Sequence, residues 1–425
     1  MNVDSDERYA RAYAREANGE TDEAKRAYVG LLADDPTHYL TLMSLGRLLA
    51  VAQNIRAART VFAQAVAAHP AEPAAHAALA SLLVDAGDPR AARKAFLRAL
   101  ELDPEHREAN RGLAILAERD GDHLNAQRYW RAGFPDGRLA ETPGQGRGPH
   151  IRVLLLASAV GGNIPLAHVL DPAYFSLTTL IAESFSPRTN LGAYDIAFNS
   201  IGDAERARRA LSFAERALGG SAVRVINPPD RVRATTRALN ARRLSALDGV
   251  VMPATIPFRR GSAPSAFGLE YPFLVRSPGF HTGLNFVRVD DAGSFRSAIA
   301  DLPGDELLAI EYIDTRHEAG SYVKYRAMAI DGLIYSVHRA ISSDWKIHAF
   351  TAQHEDAEPP LDDATLVRLQ RVVDTLGLDY CGIDFAYDRA GRLVVFEANA
   401  TMIARTPGVI AAVQRMLGAQ LNAAN

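Results

Sequence analysis

Three oxygen-bearing side chains near the end of the chain lie in a predicted β-hairpin. Asp384 belongs to the first strand, and Glu397 and Asn399 belong to the returning strand after the turn Asp388–Gly391. Two carboxylates and an amide oxygen on neighbouring strands suit Mg²⁺, which takes a few protein oxygens and leaves its other positions to phosphates and water. The alternative is that these groups are solvated, since acidic residues are mostly exposed.

In residue types and spacing, Asp384, Glu397 and Asn399 resemble the metal-binding strand pair of the ATP-grasp superfamily. The resemblance covers residues 151–425. Members of this family use Mg²⁺·ATP, usually to convert a carboxylate into an acyl phosphate that an amine then attacks. The resemblance therefore implies ATP and Mg²⁺ as cofactors and assigns these three residues as metal ligands.

A predicted strand ends at Arg276 and opens into a loop of small residues that contains His281 and Gly283. Backbone N–H groups of such a loop and an adjacent cation form a phosphate site. The family usually has lysine in place of Arg276. Because arginine also binds phosphate in a fork, we expect nucleotide binding to survive and turnover to be the property at risk.

Further nucleotide contacts follow from the same resemblance. The preceding helix is predicted over 233–247, and in the family a basic residue near its start reaches the phosphates. Arg237 is the best candidate here, with Arg231, Arg233 and Arg242 as rivals. The segment Glu311, Tyr312 and Ile313 resembles the hinge over which adenine lies. The alternative for this segment is an ordinary strand end.

Two strands joined by Asp331-Gly332 form a second predicted hairpin. Lys324 and Arg326 share one face because they are two residues apart, and two cations on one face repel unless an anion lies near them. By the resemblance, Arg326 and Arg339 stabilise charge on the transferring phosphoryl group. Lys324, where many members have an acidic residue, is predicted to compensate for the lysine that position 276 lacks.

Substrate contacts are predicted from two loops. Lys346 and His348 lie where the family places a loop that closes over the phosphates, although a lone histidine in a loop is more often solvated. Val153–Leu156 is a buried strand followed by Gly161, Gly162 and Asn163. These three residues are candidate substrate contacts, and a tight turn is the competing explanation of the glycine pair.

The first third of the chain repeats every 34 residues, as Pro36, Pro70 and Pro104 illustrate. The repeated positions also carry Ala or Gly and an aromatic residue: Ala24, Ala58, Ala92, Ala126, Tyr28, Phe62, Phe96 and Trp130. This pattern resembles tetratricopeptide (TPR) repeats. Small residues let two antiparallel helices approach, the aromatic fills the remaining space, and proline ends the second helix. A peptide or protein partner on the concave face and a packing or dimerisation role are equally compatible with this pattern.

Composition bounds the remaining possibilities. A chain of 425 residues is too long for a single hydrophobic core of ordinary size. Of these residues 48% are hydrophobic and 23% charged, and the net charge is −3. This balance gives no indication of a nucleic-acid or membrane partner. A single cysteine excludes an internal disulfide framework and fits a cytoplasmic location, as does the absence of a long apolar run.

The sequence thus predicts a multidomain α plus α/β protein. We expect TPR helical repeats over 1–135, a Gly/Pro linker over 136–150, a small parallel-sheet α/β domain over 151–228, and an ATP-grasp nucleotide-binding domain over 229–425. The predicted function is an ATP-dependent carboxylate–amine ligase acting on a small-molecule or peptide substrate, with peptide modification as one possibility. The alternatives are a kinase that phosphorylates a hydroxyl and a non-catalytic TPR scaffold with a nucleotide-sensing domain.

Overall fold

A computed structural model describes most of the chain. The described residues are 3–52, 54–134, 140–145, 149–280, 283–317, 320–347, 353–355, 361–403 and 405–419. The chain divides into two compact units, Met1–Gly137 and Arg138–Asn425.

The first unit is a row of helical hairpins. Its helices are α1 (Val3–Ala17), α2 (Thr21–Asp34), α3 (Tyr39–Val51), α4 (Ile55–Ala68), α5 (Pro73–Asp85), α6 (Pro89–Leu102), α7 (Arg107–Arg119) and α8 (His123–Gly133). Asn54, Asp88 and Asp122, one per repeat, cap α4, α6 and α8 by accepting a backbone N–H of the first turn. The repeat therefore sets the start of α4, α6 and α8 as well as the core, whereas Glu20 at the start of α2 makes no such side-chain bond.

The second unit begins with a sheet of five strands in the order β1-β3-β2-β4-β5. Its strands are β1 (Ala140–Thr142), β2 (Ile151–Ala157), β3 (Phe175–Ile181), β4 (Ile196–Asn199) and β5 (Val225–Ile226). Strands β2 to β5 are parallel, as predicted from the alternation of strands and helices, and β1 is antiparallel to β3. The segment predicted as a linker therefore contributes an edge strand. Helix α9 (Arg208–Leu218) follows β4.

Short helices lead into the remaining sheets. They are α10 (Pro229–Arg233) and α11 (Arg237–Leu244), where the sequence predicts one helix over 233–247. Thr236 breaks the run because it caps α11 through its side chain, which accepts the N–H of Leu239. Arg237 is consequently the first residue of α11.

Two further sheets follow. Their strands are β6 (Val250–Val251), β7 (Thr255–Arg259), β8 (Phe273–Arg276), β9 (Phe286–Val289), β10 (Glu306–Glu311), β11 (Tyr322–Ile330), β12 (Leu333–Ser342), β13 (Gln353–Glu355), β14 (Tyr380–Tyr387) and β15 (Leu393–Asn399). Four form an antiparallel sheet, β7-β10-β8-β9, and six form the sheet β13-β12-β11-β14-β15-β6. The helices of this region are α12 (Phe295–Ala298), α13 (Asp363–Leu376) and α14 (Pro407–Met416).

The four-stranded sheet has its own aromatic core, which includes Phe258, Phe267 and Phe273, whereas the five-stranded and six-stranded sheets share one core. In the described parts of the chain, no helix combines the length and the hydrophobicity needed to cross a bilayer.

Candidate functional site

The hairpin of β14 and β15 presents the three predicted metal ligands on one face. Asp384 lies opposite Glu397, and Asn399 lies opposite Gly382. The register shifts after Asp384, so that Phe396 is an extra residue in β15. Directly opposite residues of antiparallel strands share a face, and the structure therefore brings the three side chains together as predicted.

Asp384 is bound by two cations from the neighbouring strand β11. The Arg326 guanidinium donates to both carboxylate oxygens at 2.7 and 2.8 Å, and Lys324 Nζ donates at 3.0 Å. Burial alone would raise the pKa of Asp384, but the charges and hydrogen bonds of Lys324 and Arg326 hold it well below its ordinary value. Asp384 is the anion that the sequence required beside this cation pair.

Glu397 belongs to a second, nearly buried ion network. Arg237 donates to Glu397 at 2.7 Å and to Glu205 at 2.5 Å, and the Arg237 side chain is only 11% exposed. Burial favours the neutral form, but the charges of Glu397 and Glu205 outweigh this effect and raise the pKa of Arg237. Asn399 donates its amide to Glu397 at 2.8 Å and accepts from the Thr401 backbone N–H at 2.9 Å. Arg237 and the hairpin thus form one connected group.

The loop after β8 carries the predicted phosphate site. Arg276 is buried and donates to the carbonyl of Phe280, while its Nε, also buried, has no hydrogen-bond partner among the described residues. Burial and the nearby charge of Arg237 lower the pKa of Arg276 to about 10, so it stays charged at neutral pH. A buried donor without an acceptor carries an energetic cost that an anion would remove.

The backbone of this loop already faces an anion. The N–H of Gly279 donates to Glu205 at 3.1 Å, as does the backbone N–H of Arg237 at the start of α11. Gly283 has a φ of 75°, which glycine adopts without strain. His281 lies outside the described residues.

The predicted hinge follows β10. The Glu311 carboxylate accepts the backbone N–H of Ala254 at 3.0 Å, and the Tyr312 hydroxyl lies 3.2 Å from that of Tyr322. Burial and this hydrogen bond raise the pKa of Tyr312. Ile313 is half-buried beside it. Two of these three side chains are thus hydrogen-bonded within the protein, and the contact of the segment with adenine stays a prediction.

The other two cations predicted for the site, Lys346 and Arg339, have different surroundings. Lys346 donates to the carbonyl of Phe286 at 2.9 Å, and burial lowers its pKa. Arg339 lies opposite Tyr325, whereas Arg326 lies opposite His338. Arg339 is therefore on the face of β12 that Arg326 does not share, and the structure does not bring these two residues together. His348 lies outside the described residues.

The predicted glycine loop after β2 is filled by side chains. A Cβ on Gly161 would lie 3.4 Å from the guanidinium carbon of Arg206, and one on Gly162 would lie 2.7 Å from Cβ of Asp203. Asn163 closes its own loop, since its amide bonds the backbone N–H and carbonyl of Ser158. Gly162 thus leaves room for the segment that follows β4, and both glycines have a positive φ, of 87° and 78°, as in a tight turn.

That segment, residues 200–207, brings charged side chains to the candidate site that the sequence did not indicate. It carries Asp203, Glu205 and Arg206, and a Cβ on Gly202 would lie 2.6 Å from the carbonyl oxygen of Ala400, just beyond β15. The sequence predicts a helix from Ala204, but α9 begins at Arg208. The position of this segment in the chain could have indicated it, because it directly follows a predicted parallel strand. Loops at the carboxyl ends of parallel strands form ligand sites where the strand order reverses.

The donor set fits Mg²⁺ held together with phosphate. A carboxylate has about four acceptor sites, so three hydrogen bonds leave Asp384 able to ligate. No group of three or more acidic, His or Cys side chains within the described parts of the chain is placed to hold a metal. Asp384, Glu397 and Asn399 would therefore need phosphate or water oxygens to complete the coordination.

Comparison with known families confirms the TPR array. Residues 16–82 and 77–133 each match a family model described as tetratricopeptide repeat. A search of curated proteins finds no match. Among solved structures, MamA is 22% identical with a TM-score of 0.29, covering 32% of this chain and 76% of its own.

The solved structures found over a larger share of this chain include ATP-grasp ligases, as the sequence resemblance predicts. The ATP-grasp ligase PsnB complexed with a minimal precursor is 14% identical with a TM-score of 0.41, covering 61% of this chain and 93% of its own. The D-alanine–D-alanine ligase from Bacillus anthracis complexed with ATP is 14% identical with a TM-score of 0.42, covering 60% and 87%.

Proposed function

We propose that this chain is an ATP-dependent ligase that joins a carboxylate to an amine through an acyl phosphate. The observation that carries the proposal is the buried cation cluster of Arg276 and Arg237 beside the oxygen ligands of the β14–β15 hairpin. Arg276 holds an orphaned donor next to a loop whose Gly279 N–H already binds a carboxylate. This combination of donors, fixed charge and metal-type oxygens suits a triphosphate.

Each group has a role in that reaction. Asp384, Glu397 and Asn399 would hold Mg²⁺, which supplies positive charge to the phosphate oxygens. Arg276, Arg237 and the backbone of the loop after β8 hold the nucleotide. Lys324 and Arg326 keep Asp384 ionised and oriented, and they add positive charge where negative charge moves during transfer.

The chemistry needs no covalent enzyme intermediate. A carboxylate oxygen of the substrate attacks the γ-phosphorus, the bond to the β-phosphate oxygen breaks, and ADP leaves. The amine then attacks the acyl carbon, inorganic phosphate departs, and the amine loses a proton to solvent. The residues of the site act by positioning and by electrostatic stabilisation. A peptide or protein bound by the TPR array is the substrate or the partner that delivers it.

The first test is thermal unfolding with Mg²⁺·ATP. At about 100 times the dissociation constant, ligand stabilises the domain that binds it by about 2.7 kcal/mol. We expect this stabilisation in the wild type and its loss in Glu397→Gln. The matched control is Glu306→Gln, on an exposed residue at the start of β10 with no side-chain partner among those described. Mg²⁺ alone is expected to give no shift, because Lys324 and Arg326 already balance Asp384.

A catalytic assay completes the test. ADP release is measured with hydroxylamine as the amine and a panel of carboxylates, and the hydroxamate product is quantified. A nucleotide-bound protein that instead yields a phosphate ester from a hydroxyl compound would be a kinase. The absence of any nucleotide-dependent stabilisation in folded wild type would support the scaffold alternative and overturn the ligase proposal.

A further inference from the structure

Six cationic side chains around the candidate site differ in whether they are already bound to another group of the protein. Five of them donate to a group of the protein itself: Arg237, Arg276, Lys324, Arg326 and Lys346. The sixth is Arg206, which is exposed. Its guanidinium makes no hydrogen bond or ion pair with any residue that the structure describes. Arg206 is therefore the one of these six cations whose charged group is not already bound to a protein group among the described residues.

The two acidic side chains of the segment that carries Arg206 accept hydrogen bonds from other groups. Asp203 accepts the backbone N–H groups of Glu205 and Arg206 at 2.9 and 3.0 Å, which caps its own loop. Glu205 is turned toward Arg237 and Gly279. Asp203 and Glu205 thus bind other groups, and neither forms an ion pair with Arg206 among the described residues.

Arg206 also lies between two loops. Its guanidinium rests against Gly161 of the loop after β2, with the guanidinium carbon 3.4 Å from the position of a Cβ there. Its own Cβ lies 3.4 Å from the corresponding position on Gly279, in the loop after β8. One end of the side chain is therefore fixed beside the proposed phosphate loop and the other beside the glycine pair.

This position meets a requirement of the proposed reaction. A carboxylate that attacks a γ-phosphorus must be held about 3–3.5 Å from it, so its binding group must lie next to the phosphate loop. An arginine grips a carboxylate in a fork and fixes its plane. A cation already engaged by Asp384 or Glu397 does not offer this fork.

We propose that Arg206 binds the carboxylate of the substrate at the crevice between the loops after β2 and β8. This inference rests on the proposed ligase function for its chemistry, but carboxylate binding can be measured without turnover. The substrate class is a carboxylic acid presented at the carboxyl end of the parallel sheet. Gly161 has a φ of 87°, which glycine adopts without strain, and its position brings the backbone of the loop after β2 into contact with the guanidinium.

The binding test uses phenylglyoxal, which modifies arginine, with peptide mapping by mass spectrometry. We expect Arg206 to be labelled faster than Arg237 in the wild type. N-acetylglycine or glutarate, added with Mg²⁺ and a non-hydrolysable ATP analogue, should slow labelling of Arg206 and leave labelling of Arg208 unchanged. Arg208 is the matched control because it is also exposed and lies two residues along the chain. Labelling of Arg206 that neither carboxylate slows would overturn the proposal.

The kinetic test compares Arg206→Gln, Arg206→Lys and Arg208→Gln. Loss of a charged hydrogen-bond pair should raise KM for the carboxylate about tenfold to a hundredfold in Arg206→Gln, with partial recovery in Arg206→Lys. Nucleotide-dependent stabilisation should be unchanged in all three. Wild-type carboxylate kinetics in Arg206→Gln would overturn the assignment and leave the ligase proposal standing. Protection of Arg206 without any turnover would support the carboxylate site and count against the ligase.

Discussion

At the scale of single residues, Asp384 is the point on which the charges of the candidate site converge. Its side chain is 5% exposed and bound by Lys324 and Arg326. Breaking a buried ion pair from one side leaves the opposite charge without compensation, which costs about 3–5 kcal/mol. The stability of the second unit therefore depends on a residue that the sequence marks only as a metal ligand.

We expect Asp384→Asn to lower the free energy of unfolding by about 3 kcal/mol at pH 7. Arg326→Met added to this variant removes one of the two uncompensated cations and should recover part of the loss. Urea unfolding followed by the fluorescence of Trp345 in a Trp130→Phe background reports the second unit, because these are the two tryptophans of the chain. A double variant less stable than Asp384→Asn alone would contradict this account.

The interaction of Asp384 with Lys324 and Arg326 also predicts that the stability of the protein depends on pH. The pKa of Asp384 is lower in the folded protein than in the unfolded chain, where it is about 3.9. The stabilisation from the ionised carboxylate is therefore fully present above the unfolded pKa, and it is lost as the pH falls through the folded pKa. The difference in unfolding free energy between wild type and Asp384→Asn should be constant from about pH 5 to 7 and shrink below about 4. A difference that shrinks already near neutral pH would point to another group.

At the scale of elements, the TPR helices pack through glycine and aromatic side chains. A Cβ on Gly46 would lie 2.5 Å from the ring of Phe62, and one on Gly112 would lie 2.0 Å from the ring of Phe96. These glycines therefore permit close helix contact despite their low helix propensity.

Gly112→Ala should destabilise the first unit by about 1–3 kcal/mol, because the new methyl group overlaps a fully buried ring. Gly30→Ala is the matched control: Gly30 is also within a helix, and its Cβ would have nothing within 4 Å. That change should stabilise the unit by about 0.5–1 kcal/mol. Thermal unfolding followed by the fluorescence of Trp130 in a Trp345→Phe background distinguishes the two variants. Equal changes in stability would show that packing against the ring is not the cause.

At the scale of the whole molecule, the second unit depends on a joint between its five-stranded and six-stranded sheets. Asn227, at the end of β5, is fully buried with a φ of 51°. Its amide donates to the carbonyl of Tyr380 at 2.8 Å and accepts the N–H groups of Asp379 and Tyr380 at 2.9 Å. One side chain thus satisfies three backbone groups of β14 and its approach.

Asn227→Ala should destabilise the second unit by about 3 kcal/mol or more, since each buried backbone group left unsatisfied costs about 1–3 kcal/mol. Asn285→Ala is the control for backbone strain, because Asn285 also has a positive φ of 50° but no side-chain bond to a described residue. Equilibrium urea unfolding of both variants measures the difference. A similar loss of unfolding free energy in both variants would show that backbone conformation, and not the side-chain hydrogen bonds of Asn227, causes the destabilisation.

Local patterns in the sequence determined much of this protein. The period of 34 residues predicted the TPR helices, and the capping positions Asn54, Asp88 and Asp122 follow the same period. Asp-Gly at 331–332 predicted the turn between β11 and β12. Asp384, Glu397 and Asn399 were predicted to converge because side chains of a strand alternate with a period of two and a hairpin turn sets the register between its strands.

Tertiary structure alone decided which charges meet. Register across β11 and β12 separated Arg339 from Arg326, and spacing within one strand does not contain that information. Glu205 lies near Arg237 and Gly279 only because the fold brings the loop after β4, the start of α11 and the loop after β8 together in space. Ion pairs and packing act over a few ångströms in space, whereas helix and strand patterns act over a few residues along the chain. The sequence therefore predicted the elements and the convergence of the three hairpin side chains, and the fold determined their partners.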